Sequence, residues 1–353
     1  MKLQGLRILA ICTSVAALLL LARPWKEEAL FPRGLSPVVT GWENQPEKLS
    51  AANCAKCHTQ EHQEWAKGMH ARAWNNPLFV EAFQHETRTW CVNCHAPLQT
   101  QGEEYNRNPG NHTTGLLAEG INCVACHVRN GKILSTVETG RAPHESIRSS
   151  YLKSSDFCAD CHQFNFPTFH ASQIEYTSEP MQDTFEEYRV SGYTRNCQTC
   201  HYDGHRLLGP HQKEWFRQHF SEFHAERSAP GLASVRFEVD SFRAHNLPSG
   251  DLFKSLAFQA ANDPLFQRVF FQKKWARTYG IGMRDAGTIW NRKLILNSSL
   301  TAQEKQVHIT FDLRTEDPVY VRLVYFLHDP RLGGESRLRP EETEIVLWSQ
   351  QLQ

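Results

Sequence analysis

The chain has 353 residues, with 38 basic and 38 acidic side chains, a hydrophobic fraction of 40% and a mean hydropathy of −0.52. This composition is too apolar for a disordered chain and too polar for a protein with several membrane spans, and the balanced charge argues against nucleic-acid binding. The length suggests two domains, and the unusual counts are 11 cysteines, 18 histidines and 4 methionines.

The first 22 residues predict an export segment. Lys2 and Arg7 precede an apolar run from Ile8 to Ala22, which is typical of a signal peptide and short for a complete membrane span. No clear cleavage site follows, so a cleaved signal peptide and a retained single membrane anchor both stay open. Residues 23–50 contain several prolines and glycines and predict an irregular linker.

Ten of the cysteines form five copies of a Cys-x-x-Cys-His pattern. This pattern attaches haem c, because the two thiols can each bond a vinyl group of one porphyrin and the histidine can ligate its iron. A disulfide framework would not place a histidine after each pair, and zinc ribbons need two pairs per metal. We therefore expect five covalent haems c. The predicted attachment residues are Cys54, Cys57, Cys91, Cys94, Cys123, Cys126, Cys158, Cys161, Cys197 and Cys200, and the predicted proximal ligands are His58, His95, His127, His162 and His201.

Residues 51–228, which contain these motifs, are poor in aliphatic side chains. Short helices are predicted over 61–73, 77–85 and 183–190, with polar loops elsewhere. Because five macrocycles must share one domain of this size, we expect them to form its core and to lie close enough together to exchange electrons.

After residue 228 the pattern changes to alternating apolar and polar residues with many β-branched and aromatic side chains. It predicts strands at 235–242, 293–296, 307–313, 319–327 and 344–348, and residues 229–353 contain no cysteine. The predicted fold is therefore α+β and multidomain. A haem-cored N-terminal domain of loops and short helices precedes a haem-free, sandwich-like all-β domain.

Each iron also needs a sixth ligand or keeps an open position. Methionine is scarce, and thirteen histidines lie outside the motifs, so we expect bis-histidine ligation and low potentials for most of the haems. A single surplus histidine is more often a surface residue than a ligand.

The chain resembles the multihaem cytochromes c typified by the tetrahaem electron carrier of hydroxylamine oxidoreductase, the cytochrome c-554/c-prime type. The matching elements are Trp65-Ala-Lys-Gly-Met-His70-Ala71, Cys91-Val-Asn-Cys94-His95-Ala-Pro97, Gly120-Ile-Asn-Cys123, Ala142-Pro143-His144, Thr184-Phe-Glu-Glu-Tyr188, His205-Arg-Leu-Leu-Gly209-Pro-His211 and His245-Asn-Leu-Pro248-Ser249-Gly250. The departures are a fifth motif, a glycine at 68 where the family has serine, and Tyr202-Asp203 where Met-Pro is frequent.

The resemblance implies a set of distal ligands. These are His70, His144, His205, His211 and His245, with His170 in reserve. His219 and His224 are expected at the surface, and His85 and His112 are left undecided.

Two functions are open. The favoured one is an electron carrier whose mostly bis-histidine haems serve an extracytoplasmic redox chain. The alternative is an oxidoreductase that acts on a small nitrogen or sulfur compound at one five-coordinate haem. The carrier is favoured because every motif ends in histidine and the surplus of histidines forces no haem to stay open.

Expected partners are other redox proteins or a quinol-linked donor, and not nucleic acid. The expected location is periplasmic or otherwise extracytoplasmic, with or without an anchor in the cytoplasmic membrane. The β domain is compatible with docking or assembly, which would include an oligomer or polymer.

Overall fold

The computed structural model describes residues 36–85, 88–137, 142–170, 173–239, 244–281, 292–313, 318–329 and 336–352. The predicted export segment 1–22 and the first part of the linker lie outside these ranges. Within them, no helix is long and apolar enough to cross a membrane. The predicted α+β class is confirmed, since short helices dominate up to residue 217 and strands dominate after it.

Short helices carry the Cys-x-x-Cys-His motifs and the segments between them. The predicted helices over 77–85 and 183–190 are found as α4 and α9. In chain order the helices of this region are α1 (Pro46–Leu49), α2 (Ala51–Ala55), α3 (Thr59–Ala66), α4 (Pro77–His85), α5 (Thr89–His95), α6 (Gln99–Arg107), α7 (Cys123–His127), α8 (Ser155–His162), α9 (Thr184–Ser191), α10 (Cys197–His201) and α11 (Lys213–Arg217).

The predicted helix over 61–73 is corrected, because α3 ends at Ala66. Gly68 follows, and a Cβ atom at this position would collide with the carbonyl oxygen of Arg206. The backbone near residue 206 therefore packs directly against this turn, which a residue with a side chain would prevent. Helical periodicity could not reveal this end, since the contacting residue is distant in the sequence.

The predicted irregular linker is corrected for residues 36–50. Val38 forms a parallel bridge with Leu98, and α1 places the fully buried Leu49 in an apolar cluster with Leu98 and Val124. Proline and glycine correctly indicated turns here, but a few apolar side chains anchor the segment to the haem-motif region.

Two small sheets lie within the haem-motif region, where the sequence predicted loops. One of them is a hairpin that the sequence did not predict, because Asn165 and Pro167 interrupt the alternating apolar pattern of Phe164, Phe166 and Phe169. The first sheet contains β1 (Val128–Arg129), β2 (Lys132–Ser135) and β3 (Ser146–Arg148), and the second is the antiparallel hairpin of β4 (Gln163–His170) and β5 (Gln173–Asp183).

The remaining strands form two antiparallel sheets with an apolar cluster shared between them, which includes Phe237, Phe258 and Tyr325. The five-stranded sheet has the order β10-β9-β8-β12-β13, and the three-stranded sheet has the order β11-β7-β6. The strands are β6 (Phe220–Ala229), β7 (Leu232–Val239), β8 (Ser255–Ala261), β9 (Val269–Ile281), β10 (Arg292–Asn297), β11 (Gln306–Asp312), β12 (Val319–Phe326) and β13 (Glu344–Leu352), with helix α12 (Pro340–Thr343) before β13.

The predicted strands correspond to β7, β10, β11, β12 and β13, although residues 240–242 of the first lie outside the described ranges. Strands β6, β8 and β9 were not predicted. Every residue of β8 is buried, so its sequence shows no alternation. The expected domain boundary at residue 229 falls within β6, which begins at Phe220.

The two regions differ in the apolar surface that they bury. The largest cluster of buried apolar side chains in the described ranges lies in the β domain. The haem-motif region has smaller clusters, centred on Trp74, Leu49 and Leu134. A domain whose core is supplied by macrocycles would show this difference.

The β domain packs tightly against the haem-motif region. The Tyr279 hydroxyl donates to the carbonyl of Pro180 at 2.7 Å, and the Tyr279 ring packs edge-on against the fully buried Phe166. The Ser249 hydroxyl donates to Glu187 at 2.6 Å. This junction holds the loop after β7, which contains His245, against the fifth motif.

Candidate haem-binding region

Each Cys-x-x-Cys-His motif lies on or directly after a short helix, so one helical turn separates its two cysteines. Four of these helices begin with a side-chain cap. Ser50, Asn122, Ser154 and Asn196 accept hydrogen bonds from backbone amides of α2, α7, α8 and α10, respectively. Because such helices are too short to be stable alone, the caps help to fix the direction of each motif.

The Glu119 carboxylate ties the first motif to the third. One oxygen accepts from the Ser50 hydroxyl at 2.5 Å, and the other accepts from the Ala51 amide at 2.8 Å and from Asn122 Nδ2 at 2.7 Å. Asn122 Nδ2 also donates to the carbonyl of Leu49 at 2.9 Å. The starts of α2 and α7 are therefore held together by a single side chain.

Thiols of different motifs lie within hydrogen-bonding reach of one another. The contacting pairs are Cys54 with Cys123, Cys94 with Cys161, and Cys158 with Cys197. These pairs join the first motif to the third, the second to the fourth, and the fourth to the fifth. Cys126 of the third motif interacts electrostatically with Cys161 of the fourth.

Three motif histidines have rings oriented by a backbone carbonyl. The Nδ1 atom of His95 donates to Ala73 at 2.7 Å, that of His127 to Leu134 at 2.9 Å, and that of His201 to Leu208 at 2.7 Å. A carbonyl can only accept, so Nδ1 carries the proton and Nε2 keeps its lone pair. This is the usual second-shell contact of a metal-ligating histidine.

Three motif histidines also face a second imidazole. The ring centres are 6.3 Å apart for His58 and His144, 6.1 Å for His127 and His205, and 6.2 Å for His201 and His245. A separation of about 6.3 Å would leave room for one iron held by both rings, given metal–nitrogen bonds of about 2 Å and the size of the ring. All three separations match this value.

The Nδ1 atom of the partner ring His144 is buried without a hydrogen-bond partner, and that of His205 lies 3.6 Å from the Glu64 carboxylate. His245 Nδ1 donates to the carbonyl of Asn246 at 2.8 Å. These three residues are among the distal ligands that the resemblance implied. The structure therefore places three of the five predicted distal histidines beside a motif histidine.

The other two predicted distal histidines are buried, but no ring contact joins them to a motif histidine among the described side chains. His70 interacts electrostatically with His162, and His211 lies near Asp251 and Lys254. His95 also lies near Asp251, and Phe79 stacks on its ring at 3.8 Å. The reserve residue His170 has its side chain outside the described part of the structure.

Burial keeps these imidazoles uncharged. It lowers the pKa of His162 to about 3 and the pKa of His95 and His211 to about 4. It also lowers the pKa of His70, His127, His201 and His245. Iron binds the neutral imidazole, so the buried sites favour the form that ligates metal.

The residues left undecided have structural roles where they are described. His112 stacks on Trp74, with ring centres 5.0 Å apart, and the side chain of His85 lies outside the described ranges. His224 pairs with Glu226 at 3.1 Å and is half exposed, as the expected surface position predicts. His219 packs against Trp215, which also contacts His201.

Sequence reasoning missed several residues that surround these histidines, including Phe79, Trp215 and Glu119. Arg129 was also missed, and it is buried near Cys126 and Cys161. No spacing pattern marks these positions, because they contact the motifs only in the folded chain.

The paired thiols, the uncharged imidazoles and their spacing fit haem c, which these cysteines and histidines would hold and which would supply one-electron chemistry. This agreement supports the predicted resemblance to the multihaem cytochromes c. Residues 53–128 match the sequence model of the family described as cytochrome c554 and c-prime. The identity of each axial ligand stays a prediction.

A solved structure shares the fold. It is that of a penta-haem cytochrome c552 from Thermochromatium tepidum, which is 17% identical to this chain and has a TM-score of 0.64. The similarity covers 87% of this chain and 98% of the other. No protein of curated function matches the chain in sequence.

Proposed function

We propose that the protein carries electrons through five covalently bound haems c, most of them with two histidine ligands. The contacts between thiols of different motifs carry this proposal. Each cysteine sulfur of a haem c bonds directly to the macrocycle, so adjacent sulfurs imply adjacent macrocycle edges. Thiol contacts join the first motif to the third, the second to the fourth and the fourth to the fifth. The electrostatic interaction of Cys126 with Cys161 connects the third motif to the fourth, which completes the proposed path.

The ends of this path are its most accessible points. Cys57 of the first motif and Cys200 of the fifth are exposed, whereas the other motif cysteines are half-buried. The His58 side chain is also 56% exposed. Electrons would therefore be exchanged with partners at the first and fifth haems, and the other haems would connect them.

The ligand assignment follows the spacing of the rings for three pairs and the electrostatic interaction with His162 for His70. His58 with His144, His127 with His205, and His201 with His245 are the proposed axial pairs, and His70 is the proposed partner of His162. Two histidine ligands favour low-spin iron with a low potential. A chain of such haems transfers electrons without binding a substrate at iron.

The haem count of the isolated holoprotein, measured as the pyridine haemochrome, tests the main proposal. We expect five haems per chain, and a Cys197→Ser, Cys200→Ser double variant should retain four. The matched control is Cys12→Ser, which removes the one cysteine outside the motifs and should leave the count at five. A wild-type count of two or fewer would overturn the proposal.

One observation favours a second candidate function. His95 contacts Phe79 and the carbonyl of Ala73, but no imidazole faces it among the described side chains. An open iron at this motif, with His211, Asp251 and Lys254 in the same region, would suit reduction or oxidation of a small nitrogen or sulfur compound. A full-occupancy high-spin ferric signal in the electron paramagnetic resonance spectrum, altered by azide, would support this candidate. Five low-spin signals would exclude it.

The location and partners are part of the same proposal. Residues 1–22 support export, and covalent haem attachment to such motifs takes place outside the cytoplasmic membrane. The donor or acceptor would be another redox protein or a quinol-linked complex. Cell fractionation would place the haem-stained protein in the periplasm or, if the segment is retained, in the membrane fraction. Haem-stained protein confined to the cytoplasm would contradict the proposal.

A further inference from the structure

A buried carboxylate lies at the junction between the two domains. Glu187 is only 6% exposed, and its Oε2 atom accepts hydrogen bonds from the Ser249 hydroxyl at 2.6 Å and from the Asn246 amide at 3.2 Å. Its Oε1 atom is buried without a hydrogen-bond partner. A buried polar atom without a partner is unusual and needs an explanation.

Glu187 is linked to a predicted iron ligand through one residue. The Asn246 amide donates to Glu187, and the Asn246 carbonyl accepts from His245 Nδ1 at 2.8 Å. The His245 ring faces His201 of the fifth motif at 6.2 Å. A change of charge at this haem would therefore act on Glu187 across a short and largely buried distance, where electrostatic interactions are strong.

Other charged and titratable groups surround Glu187. Arg277, which is 3% exposed, lies close enough to favour the charged carboxylate, and its Nη1 atom is also buried without a partner. Burial raises the pKa of Glu187, while Ser249, Arg277 and Asn246 lower it. The titratable groups that interact with Glu187 are Asp183 at the start of α9, Arg277 and Tyr279 from β9, and Tyr325 from β12. The Asp251–Lys254 ion pair of the loop before β8 lies near Tyr325.

We propose that Glu187 is a proton-binding site that takes up one proton when the haem held by His201 and His245 is reduced. This inference rests on the proposed function as an electron carrier. One electron from a one-electron donor adds one negative charge at the iron. One proton from solvent then binds Oε1 of Glu187, and oxidation of the same haem releases it. The protein would thereby couple electron transfer at the fifth haem to proton transfer.

The sign of the coupling follows from linkage. An added negative charge near a carboxylate raises its pKa, so the reduced state binds the proton more tightly than the oxidised state. Glu187 has one pKa when the haem is oxidised and a higher pKa when it is reduced. Between these two values, the equilibrium constant for reduction falls tenfold for each pH unit, which lowers the potential of a one-electron couple by about 59 mV. Above and below this window, the potential of the haem does not depend on pH.

Spectroelectrochemical titration of the complete holoprotein, from about pH 5 to about pH 9, tests the inference. We expect one haem to show the pH-dependent window in the wild type and to lose it in Glu187→Gln. The control is Glu344→Gln, because Glu344 is a half-buried glutamate of the β domain that pairs with Arg322 at 3.4 Å. It should keep the wild-type window.

A second variant keeps the inference testable if Glu187→Gln does not fold. Ser249→Ala removes a hydrogen bond from the charged carboxylate and should move the window upward by about one pH unit. A pH-independent wild type, or a window unchanged in Glu187→Gln, would overturn this inference while five reducible haems would still support the carrier. A wild type without five reducible haems would instead contradict the proposed function.

Discussion

Replacement of Asn122 by alanine should destabilise the haem-motif region strongly. Asn122 is 1% exposed and makes four hydrogen bonds with its side chain. Its Oδ1 atom accepts from Val124 and Ala125 at the start of α7, at 3.1 and 3.2 Å. Its Nδ2 atom donates to the Leu49 carbonyl at 2.9 Å and to Glu119 at 2.7 Å.

The expected loss follows from these contacts. Removal of the helix cap costs about 1 kcal/mol, and the buried Leu49 carbonyl left without its donor costs about 2 kcal/mol more. We therefore expect Asn122→Ala to lower the free energy of unfolding by about 3 kcal/mol. The loss should appear in the transition of the haem-motif region, because Asn122 joins the starts of α2 and α7.

Asn196 offers a matched control, since it occupies the same position before the fifth motif. Its side chain caps α10 and donates to the Lys153 carbonyl at 2.7 Å, but these contacts are exposed to solvent. Water can replace them, so Asn196→Ala should cost about 1 kcal/mol. Urea unfolding of the oxidised holoprotein, followed by haem absorbance and circular dichroism, measures both. Equal losses for the two variants would refute the reasoning from burial.

Three further changes test other parts of the molecule. His245→Ala should convert one haem to high-spin iron, visible by electron paramagnetic resonance, and an entirely low-spin spectrum would contradict the assigned ligand. Phe216→Ala empties a fully buried site that contacts Tyr325 and should cost about 3–5 kcal/mol in thermal unfolding of the β domain; a loss below about 1 kcal/mol would argue against a tightly packed site. Burial raises the pKa of Glu344, with Arg322 opposing this, so the folded state holds its proton to higher pH. The wild type should therefore lose stability relative to Glu344→Gln as the pH rises from the unfolded-state pKa through the higher folded-state pKa. Parallel pH profiles of the free energy of unfolding for the two proteins would show that this carboxyl is not perturbed.

The fold was predictable where one pattern of residues dominates locally. Strands β11 and β12 alternate apolar and polar residues over most of their length, and α4 was predicted with its observed bounds. Strand β8 escaped prediction because both of its faces are buried. The end of α3 escaped prediction because Gly68 meets a distant carbonyl.

The sequence by itself predicted haem attachment, because thiol spacing and the following histidine are local and covalent requirements. It also restricted the distal ligands to a small set of histidines. Only the tertiary structure decided which of them face a motif histidine, since His58 and His144, or His201 and His245, are distant in the chain and meet across the site. The order of the motifs along the proposed electron path and the position of Glu187 beside Asn246 were likewise decided by packing. Contacts between remote segments depend on the whole buried surface, which no local pattern records.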